Sequence, residues 1–130
     1  MSYGLSSAFA NAVLDCLCNA TNITAPAGFY LKLHTGDPGA SGTANAATET
    51  TRKSCSMAAA SGGTITNDAD VVWTAVAATE TYAAVSFWDA SSGGTFYGSK
   101  NLEVAAAVTA GISFTIRTGD VDLSLGAIAA

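Results

Sequence analysis

His34, the chain's only histidine, stands close before Asp37 in the stretch from Tyr30 to Arg52, YLKLHTGDPGASGTANAATETTR. An imidazole acts as a general base when a carboxylate orients it and a nucleophile lies within hydrogen-bond reach. No serine or threonine of this sequence stands in a nucleophile-elbow motif. Asp37-Pro38-Gly39 also fits a turn, because Asp bonds the following backbone, Pro presets φ and Gly permits positive φ. The sequence therefore favours a turn after a strand ending at His34, and it predicts no catalytic residue.

The cysteines and one acidic stretch raise the question of a metal site. Cys16, Cys18 and Cys55 with His34 would formally supply three sulfur ligands and one nitrogen ligand for zinc. Cys16 and Cys18, however, stand two positions apart in a predicted helix, so their thiols point in nearly opposite directions. The stretch NDAD, residues 67–70, lacks the oxygen-rich loop of an EF-hand. The sequence therefore predicts no metal site and no cofactor.

Charge and hydropathy exclude several partner classes. Only 12% of the residues are charged, the net charge is −5, and Arg52-Lys53 is the only adjacent basic pair. Nucleic-acid binding requires a basic footprint that this chain lacks, and anionic membrane surfaces are disfavoured for the same reason. No apolar run approaches the ~20 residues of a membrane span, and the N-terminus lacks the basic region of a signal peptide. We expect no nucleic-acid partner, no membrane partner and synthesis in a cytoplasm.

The hydrophobic period changes along the chain. Residues 5–18, LSSAFANAVLDCLC, repeat apolar side chains at helical spacing, which predicts a helix over about 4–18 with Ser2 as its candidate N-cap. From Phe29 onward, short alternating segments with frequent turns predict about seven to nine strands. This spacing is typical of an antiparallel β-sandwich or flattened barrel. We therefore expect one mainly β domain, 1–130, with a long exposed loop at about 36–51 that is a candidate arm toward a neighbour.

Three cysteines cannot all pair within one chain. Cys16 falls in the apolar stripe of the predicted helix, and Cys55 alternates in phase with Met57, so both are predicted to be buried thiols. Cys18 projects away from that stripe and is predicted to be exposed. Two interpretations of Cys18 remain open: a free surface thiol, or a disulfide to a neighbouring subunit formed after release into oxidising surroundings.

Four stretches of this chain, in order, carry a family resemblance. They are LDCLCN, FYLKLHTGDPGASGTANAATETTR, AAASGGTITNDADVVWTAVAATETYAAVSFWDASSGGTFYGS and VTAGISFTIRTGDVDLSL. They resemble a bacteriophage virion family usually labelled phage tail fibre or minor tail protein, with the signatures L-H-T-x-D-P-G and L/F-W-D-A-x-x-G-G. Tyr82-Ala83-Ala84 departs from it, since a Thr-His pair is more usual there. The resemblance implies a non-enzymatic structural protein that is located in the virion and assembled in the host bacterial cytoplasm.

Three functions are consistent with this resemblance and with the residues. The first is an accessory protein of the tail, neck or collar, and the second is a decoration or cement protein on the major capsid protein. The third is a carbohydrate-binding module, which requires an exposed ring at Trp73 or Trp88. The expected partners are other virion proteins and further copies of this chain, because an alanine-rich core makes a monomer marginal. The candidate partner contacts are His34, Asp37, Pro38, Thr43 and Arg52.

Overall fold

Apolar–polar alternation and glycine-containing turns divide the chain into short strands. The computed structural model describes residues 3–125, and within them the chain forms nine strands and one helix. Every strand pair is antiparallel and the sheets are open, which confirms the predicted mainly β fold with one N-terminal helix. In chain order the elements are β1 (Gly4–Leu5), α1 (Ser7–Cys18), β2 (Tyr30–His34), β3 (Lys53–Ser54), β4 (Thr64–Thr66), β5 (Val71–Trp73), β6 (Glu80–Trp88), β7 (Phe96–Val108), β8 (Phe114–Ile116) and β9 (Asp122–Ser124).

The largest sheet has five strands in the order β1-β7-β6-β2-β3. In the β2–β6 pair, Leu31 lies opposite Phe87 and Leu33 opposite Val85. Successive side chains of a strand point to opposite faces, so these four form an apolar row on one face. His34 therefore belongs to the other face, as the sequence predicts.

Two ribbons, β4–β9 and β5–β8, supply the second layer. Their apolar side chains join the row of the large sheet in one hydrophobic cluster, in which Phe114 packs edge-on against Tyr82 with ring centroids 5.0 Å apart. Burial of this cluster is the main stabilising term, at about 25 cal/mol per Å² of apolar surface. The buried members are Leu31, Leu33, Ala47, Cys55, Val71, Trp73, Val76, Tyr82, Val85, Phe87, Ile116 and Val121.

Helix α1 lies against the start of β7, where Phe9 packs edge-on against Tyr97 with ring centroids 4.9 Å apart. It begins at Ser7 because the preceding residues Gly4 and Leu5 pair with β7, and the Ser6 hydroxyl accepts a hydrogen bond from the Phe9 amide at 3.3 Å. Ser6 is therefore the N-cap, while Ser2, the predicted cap, lies outside the described residues. The helix ends at Cys18 as predicted, and none of its residues is buried. No helix among residues 3–125 combines the length and apolar character that crossing a bilayer requires.

The connector between β2 and β3 lies against its own sheet. The Ala47 amide donates to the Leu33 carbonyl at 3.1 Å, and the Thr48 amide donates to the Glu80 carboxylate at 2.7 Å. Ala47 and Glu49 are buried, whereas residues 43–46 are exposed. The sequence predicts a long exposed loop because this segment lacks large apolar side chains, but part of it is buried and two of its backbone amides bond to the sheet.

Candidate functional site

A buried hydrogen-bond chain runs through His34 at the end of β2. The His34 side chain is fully buried, with Nδ1 at 2.8 Å from the Ala44 carbonyl oxygen and Nε2 at 2.8 Å from Ser86 Oγ. The indole Nε1–H of Trp88 donates to the same Ser86 oxygen at 2.8 Å. We call His34, Ser86 and Trp88 with the Ala44 carbonyl the histidine chain. It joins two strands and the connector through one continuous set of polar contacts.

The chemistry of each partner determines the protonation of His34. A carbonyl oxygen only accepts, so Nδ1 carries the proton and donates to Ala44. Nε2 is then the acceptor for the Ser86 hydroxyl, whose oxygen in turn accepts from Trp88. Burial lowers the pKa of His34 below its ordinary value of 6.5, and the positive charge of Lys32 lowers the pKa further, against the raising effect of the Ala44 carbonyl. The imidazole is therefore neutral at pH 7.

The Ser86–His34 pair has the atoms of a nucleophile and its general base, but its surroundings differ from those of a catalytic pair. Both side chains have no exposed surface. The Ser86 oxygen already accepts from Trp88, and the group beyond His34 is a backbone carbonyl instead of an orienting carboxylate. The hydrogen bonds between these enclosed side chains join β2 to β6.

Arg52 links the end of the connector to the turn after β6. Its guanidinium carbon lies 4.0 Å from the centroid of the Trp88 ring, within the range of a cation–π contact. The same group donates from Nη1 to the carbonyls of Ala90, at 2.9 Å, and Gly93, at 2.6 Å. The stretches containing L-H-T-x-D-P-G and W-D-A-x-x-G-G are thus brought together at Trp88.

Asp37 and Pro38 form the turn that the sequence predicts. Asp37 Oδ1 accepts from the Gly39 amide at 2.9 Å, and Gly39 has a φ of 73°. Pro38 is buried, and Thr43 is exposed. The role of five residues as partner contacts remains a prediction: His34, Asp37, Pro38, Thr43 and Arg52. Among these candidates His34 and Pro38 are buried, Asp37 and Arg52 are half-buried, and Thr43 is exposed.

Both tryptophans are buried, with exposed fractions of 1% for Trp73 and 8% for Trp88. Trp73 also donates from Nε1 to the Thr51 carbonyl at 2.8 Å. The carbohydrate-binding alternative requires one of these rings to be exposed, and neither is. The core interpretation of both residues is therefore correct.

The exposure of the three cysteines differs in part from the prediction. Cys18 is exposed and Cys55 is buried, as expected, but Cys16 is exposed as well. Burial raises the pKa of the Cys55 thiol to about 11, so this thiol is unreactive near neutral pH. The prediction for Cys16 was wrong because only the N-terminal part of α1 contacts the sheet, so the apolar stripe extends past the contact.

Sequence reasoning missed Ser86 and the role of Asn67. Asn67 is 2% exposed, and its Nδ2 donates to the carbonyls of Ala69 at 2.9 Å and Arg117 at 3.0 Å. Its Oδ1 accepts from the amides of Gly119 and Val121, both at 2.9 Å. The amide group therefore ties the turn after β4 to the segment before β9.

In the described part of the chain, no three His, Cys, Asp or Glu side chains form a metal-binding group.

A pH-dependent loss of stability follows from the buried, neutral His34. Its pKa is lower in the folded protein than in the unfolded chain, so below 6.5 the unfolded chain binds the extra proton. The stabilisation is complete above this pH and is lost as the pH falls toward the folded pKa. We expect the free energy of unfolding, measured by urea titration, to fall between about pH 7.5 and about pH 5.

The matched control is His34→Gln, which removes the only histidine. At about pH 7.5 this variant is expected to be less stable than the wild-type protein. Its free energy of unfolding should fall much less than that of the wild-type protein between about pH 7.5 and about pH 5. The carboxylates of Asp70 and Asp122 titrate outside this window. Hydrogen bonds from the Thr118 backbone amide and from the Lys100 side chain, respectively, lower their pKa below 3.8. If the wild-type protein and His34→Gln lost the same free energy of unfolding over this pH range, the assignment of the pH dependence to His34 would be contradicted.

The fold and the histidine chain together define a class: a small antiparallel β-sandwich protein whose strands are joined by buried side-chain hydrogen bonds. The chain belongs to the family described as Podophage GP4 fiber I protein gp80, whose family model matches residues 4–124. No curated protein matches the sequence. Family membership makes the chain a phage fibre structural protein and so a virion component. This confirms the tail-fibre type implied by the resemblance, while neck, collar and capsid placements remain predictions.

Proposed function

We propose that this chain is a non-enzymatic structural subunit of the phage tail apparatus, assembled with other virion proteins and with further copies of itself. The family match over residues 4–124 is the observation that carries the proposal. The enclosed Ser86–His34 pair supports it, because these residues have a structural use and no access for a substrate. The scaffold is a β-sandwich, and its helix α1, none of whose residues is buried, is the candidate docking element.

The number of copies per particle tests this placement. A tail, neck or collar protein is expected at about a dozen to a few dozen copies, set by the symmetry of a ring or fibre set. A quantitative protein gel of purified virions, standardised on the purified protein, gives this number. Several hundred copies would contradict the tail placement and favour a capsid decoration protein, and absence from virions would contradict both.

Cys18 is proposed to form a disulfide between neighbouring subunits in released particles. Its thiol is exposed on α1, and disulfide formation requires oxidising surroundings and a nearby partner thiol. Virions alkylated before denaturation are expected to show a covalent dimer on a non-reducing gel that disappears with reductant. Cys18→Ser should abolish this dimer.

Cys16→Ser is the matched control, since Cys16 is exposed on the same helix. This variant should retain the dimer. A dimer that requires Cys16 but not Cys18 would contradict the assignment, and so would wild-type protein that is monomeric with and without reductant.

A further inference from the structure

A small pocket of about 140 Å³ lies where the beginning of the chain meets the turn after β2. Its walls are residues 3–7, Gly39 and Ala40 of the turn, and Phe96 and Ser99 of β7. None of these lining side chains is charged. Gly39 is the last residue of the L-H-T-x-D-P-G signature, so the signature turn and two segments distant in sequence build the pocket together.

Ser99 is a buried serine whose hydroxyl faces this pocket. It is 3% exposed, and within residues 3–125 its Oγ makes no hydrogen bond to another residue. Ser99 lies opposite Ser86 across β6 and β7, so the two side chains share one face of the sheet. The Ser86 hydroxyl is bonded to His34 and Trp88, whereas Ser99 lines the pocket. A buried hydroxyl is stabilised by a hydrogen-bond partner, and for Ser99 the pocket is the place from which a ligand can supply one.

Gly4 keeps the pocket open beside Ser99. It lies opposite Ser99 in the β1–β7 pair, so a side chain at this position would point to the same face of the sheet. A Cβ added at Gly4 would meet nothing within 4 Å outside its chain neighbours, and the φ of 134° favours glycine. The backbone of β1 therefore leaves room for a ligand next to the Ser99 hydroxyl.

The first turn of α1 brings further hydrogen-bond donors to the pocket. The first intrahelical bond runs from the Ala10 amide to the Ser6 carbonyl at 2.9 Å, and the Phe9 amide donates to the Ser6 hydroxyl. The amides of Ser7 and Ala8 therefore have no acceptor within the helix. This turn contains no acidic side chain to offset the partial positive charge of the helix N-terminus. A negatively charged group is favoured at this position.

We propose that the pocket binds a carboxylate group, held by the amides at the start of α1 and by the hydroxyls of Ser6, Ser7 and Ser99. Amides and hydroxyls donate hydrogen bonds and an ionised carboxylate only accepts them, so the donors match the ligand. A helix N-terminus carries the equivalent of about half a positive charge. With no Lys or Arg in the lining, this partial charge suits the single charge of a carboxylate better than the larger charge of a phosphate.

The charge of Asp37 limits the affinity. Burial raises the pKa of Tyr3, which lines the pocket, and the nearby charge of Asp37 raises it further. The Asp37 carboxylate does not itself line the pocket, and its Oδ1 accepts from the Gly39 amide. We therefore expect a free carboxylate to bind weakly, with a dissociation constant of about 10 mM.

Titration of the ¹⁵N-labelled full-length chain with sodium acetate, at ionic strength held constant with sodium chloride, tests the site. The amide signals of Ser7 and Ala8 should shift and saturate. Ser99→Ala removes one donor to a charged acceptor and should weaken acetate binding about tenfold. It should remain folded, as the same spectra show, because this hydroxyl bonds to no other described residue. Ser92→Ala, exposed and outside the pocket, should bind acetate as the wild type does.

Charge substitutions at Ala40 give a test of opposite signs. Ala40 is exposed and lines the pocket, so Ala40→Lys should strengthen acetate binding several-fold and Ala40→Glu should weaken it. Ala77→Lys and Ala77→Glu are the matched controls, because Ala77 is exposed, does not line the pocket and undergoes the same changes of net charge. Their acetate affinity should stay within about twofold of the wild type.

Three results would overturn the proposal. The first is the lack of a saturating shift at Ser7 and Ala8 up to about 200 mM acetate. The second is acetate binding that is unchanged by Ser99→Ala or responds equally to the substitutions at Ala40 and Ala77. The third is tighter binding of inorganic phosphate than of acetate, which would contradict the carboxylate class. These measurements use the isolated chain, so their outcome is independent of the proposed place in the virion.

Discussion

Replacing Asn67 with alanine is expected to lower the free energy of unfolding by about 3–5 kcal/mol, because the substitution removes four hydrogen bonds made by one buried side-chain amide. The lost contacts are two donated to Ala69 and Arg117 and two accepted from Gly119 and Val121. A domain of this size is stable by only about 5–15 kcal/mol, so the variant should unfold at much lower urea concentration. Urea unfolding followed by tryptophan fluorescence gives the difference directly.

Two comparisons separate the hydrogen bonds from the residue type. Asn19→Ala removes an exposed amide that donates to the Asp15 carboxylate, and its effect should stay below about 1 kcal/mol. Asn67→Asp preserves the acceptor oxygen but replaces two donors with a charge facing carbonyls, so it should destabilise the fold strongly as well. If Asn67→Ala lowers the free energy of unfolding by less than about 1 kcal/mol, the hydrogen bonds of the Asn67 side chain do not stabilise the fold as expected.

Replacing Ser86 with alanine is expected to destabilise the protein by about 2–4 kcal/mol, since it breaks the histidine chain at its centre. The change deprives Trp88 Nε1–H of its acceptor and His34 Nε2 of its donor at buried positions. Thermal or urea unfolding measures this loss. Ser92→Ala, in the exposed turn between β6 and β7, is the matched control and should be nearly neutral.

A double-mutant cycle tests whether the hydroxyl acts through the indole. Trp88→Phe removes the N–H donor to Ser86, so its cost should depend on whether Ser86 is present. We expect a coupling energy of about 1 kcal/mol or more between Ser86→Ala and Trp88→Phe. Strict additivity would contradict a direct bond between these side chains.

Local chemistry made the strands and turns predictable. The alternation of Phe29, Leu31 and Leu33 against Tyr30 and His34 identified a strand and its two faces, because strand period depends on backbone geometry alone. Asp37-Pro38-Gly39 identified the turn for the same reason, since the Asx contact and positive φ involve adjacent residues. The helix end at Cys18 was likewise predictable, whereas its start was not, since that depends on β1 pairing with a distant strand.

The site residues required the tertiary structure. Ser86 lies 52 residues from His34, and Asn67 lies 50 to 54 residues from its partners Arg117, Gly119 and Val121. A sequence signal existed for Ser86, since this polar residue stands in an apolar run in phase with Trp88. That pattern indicates a buried hydroxyl but does not identify its partner.

The sequence by itself determined the class of fold and the turn at Asp37, because composition and neighbouring residues decide these properties. Only the tertiary structure decided that His34 is buried, that Cys16 is exposed and that the connector lies on the sheet. Burial depends on which distant segments cover a side chain, and that is set by strand register and layer packing. The apolar stripe on α1 predicts a buried helix face, but the stripe is buried only where another part of the chain covers it. In this chain the covering surface ends before Leu17, which is therefore exposed.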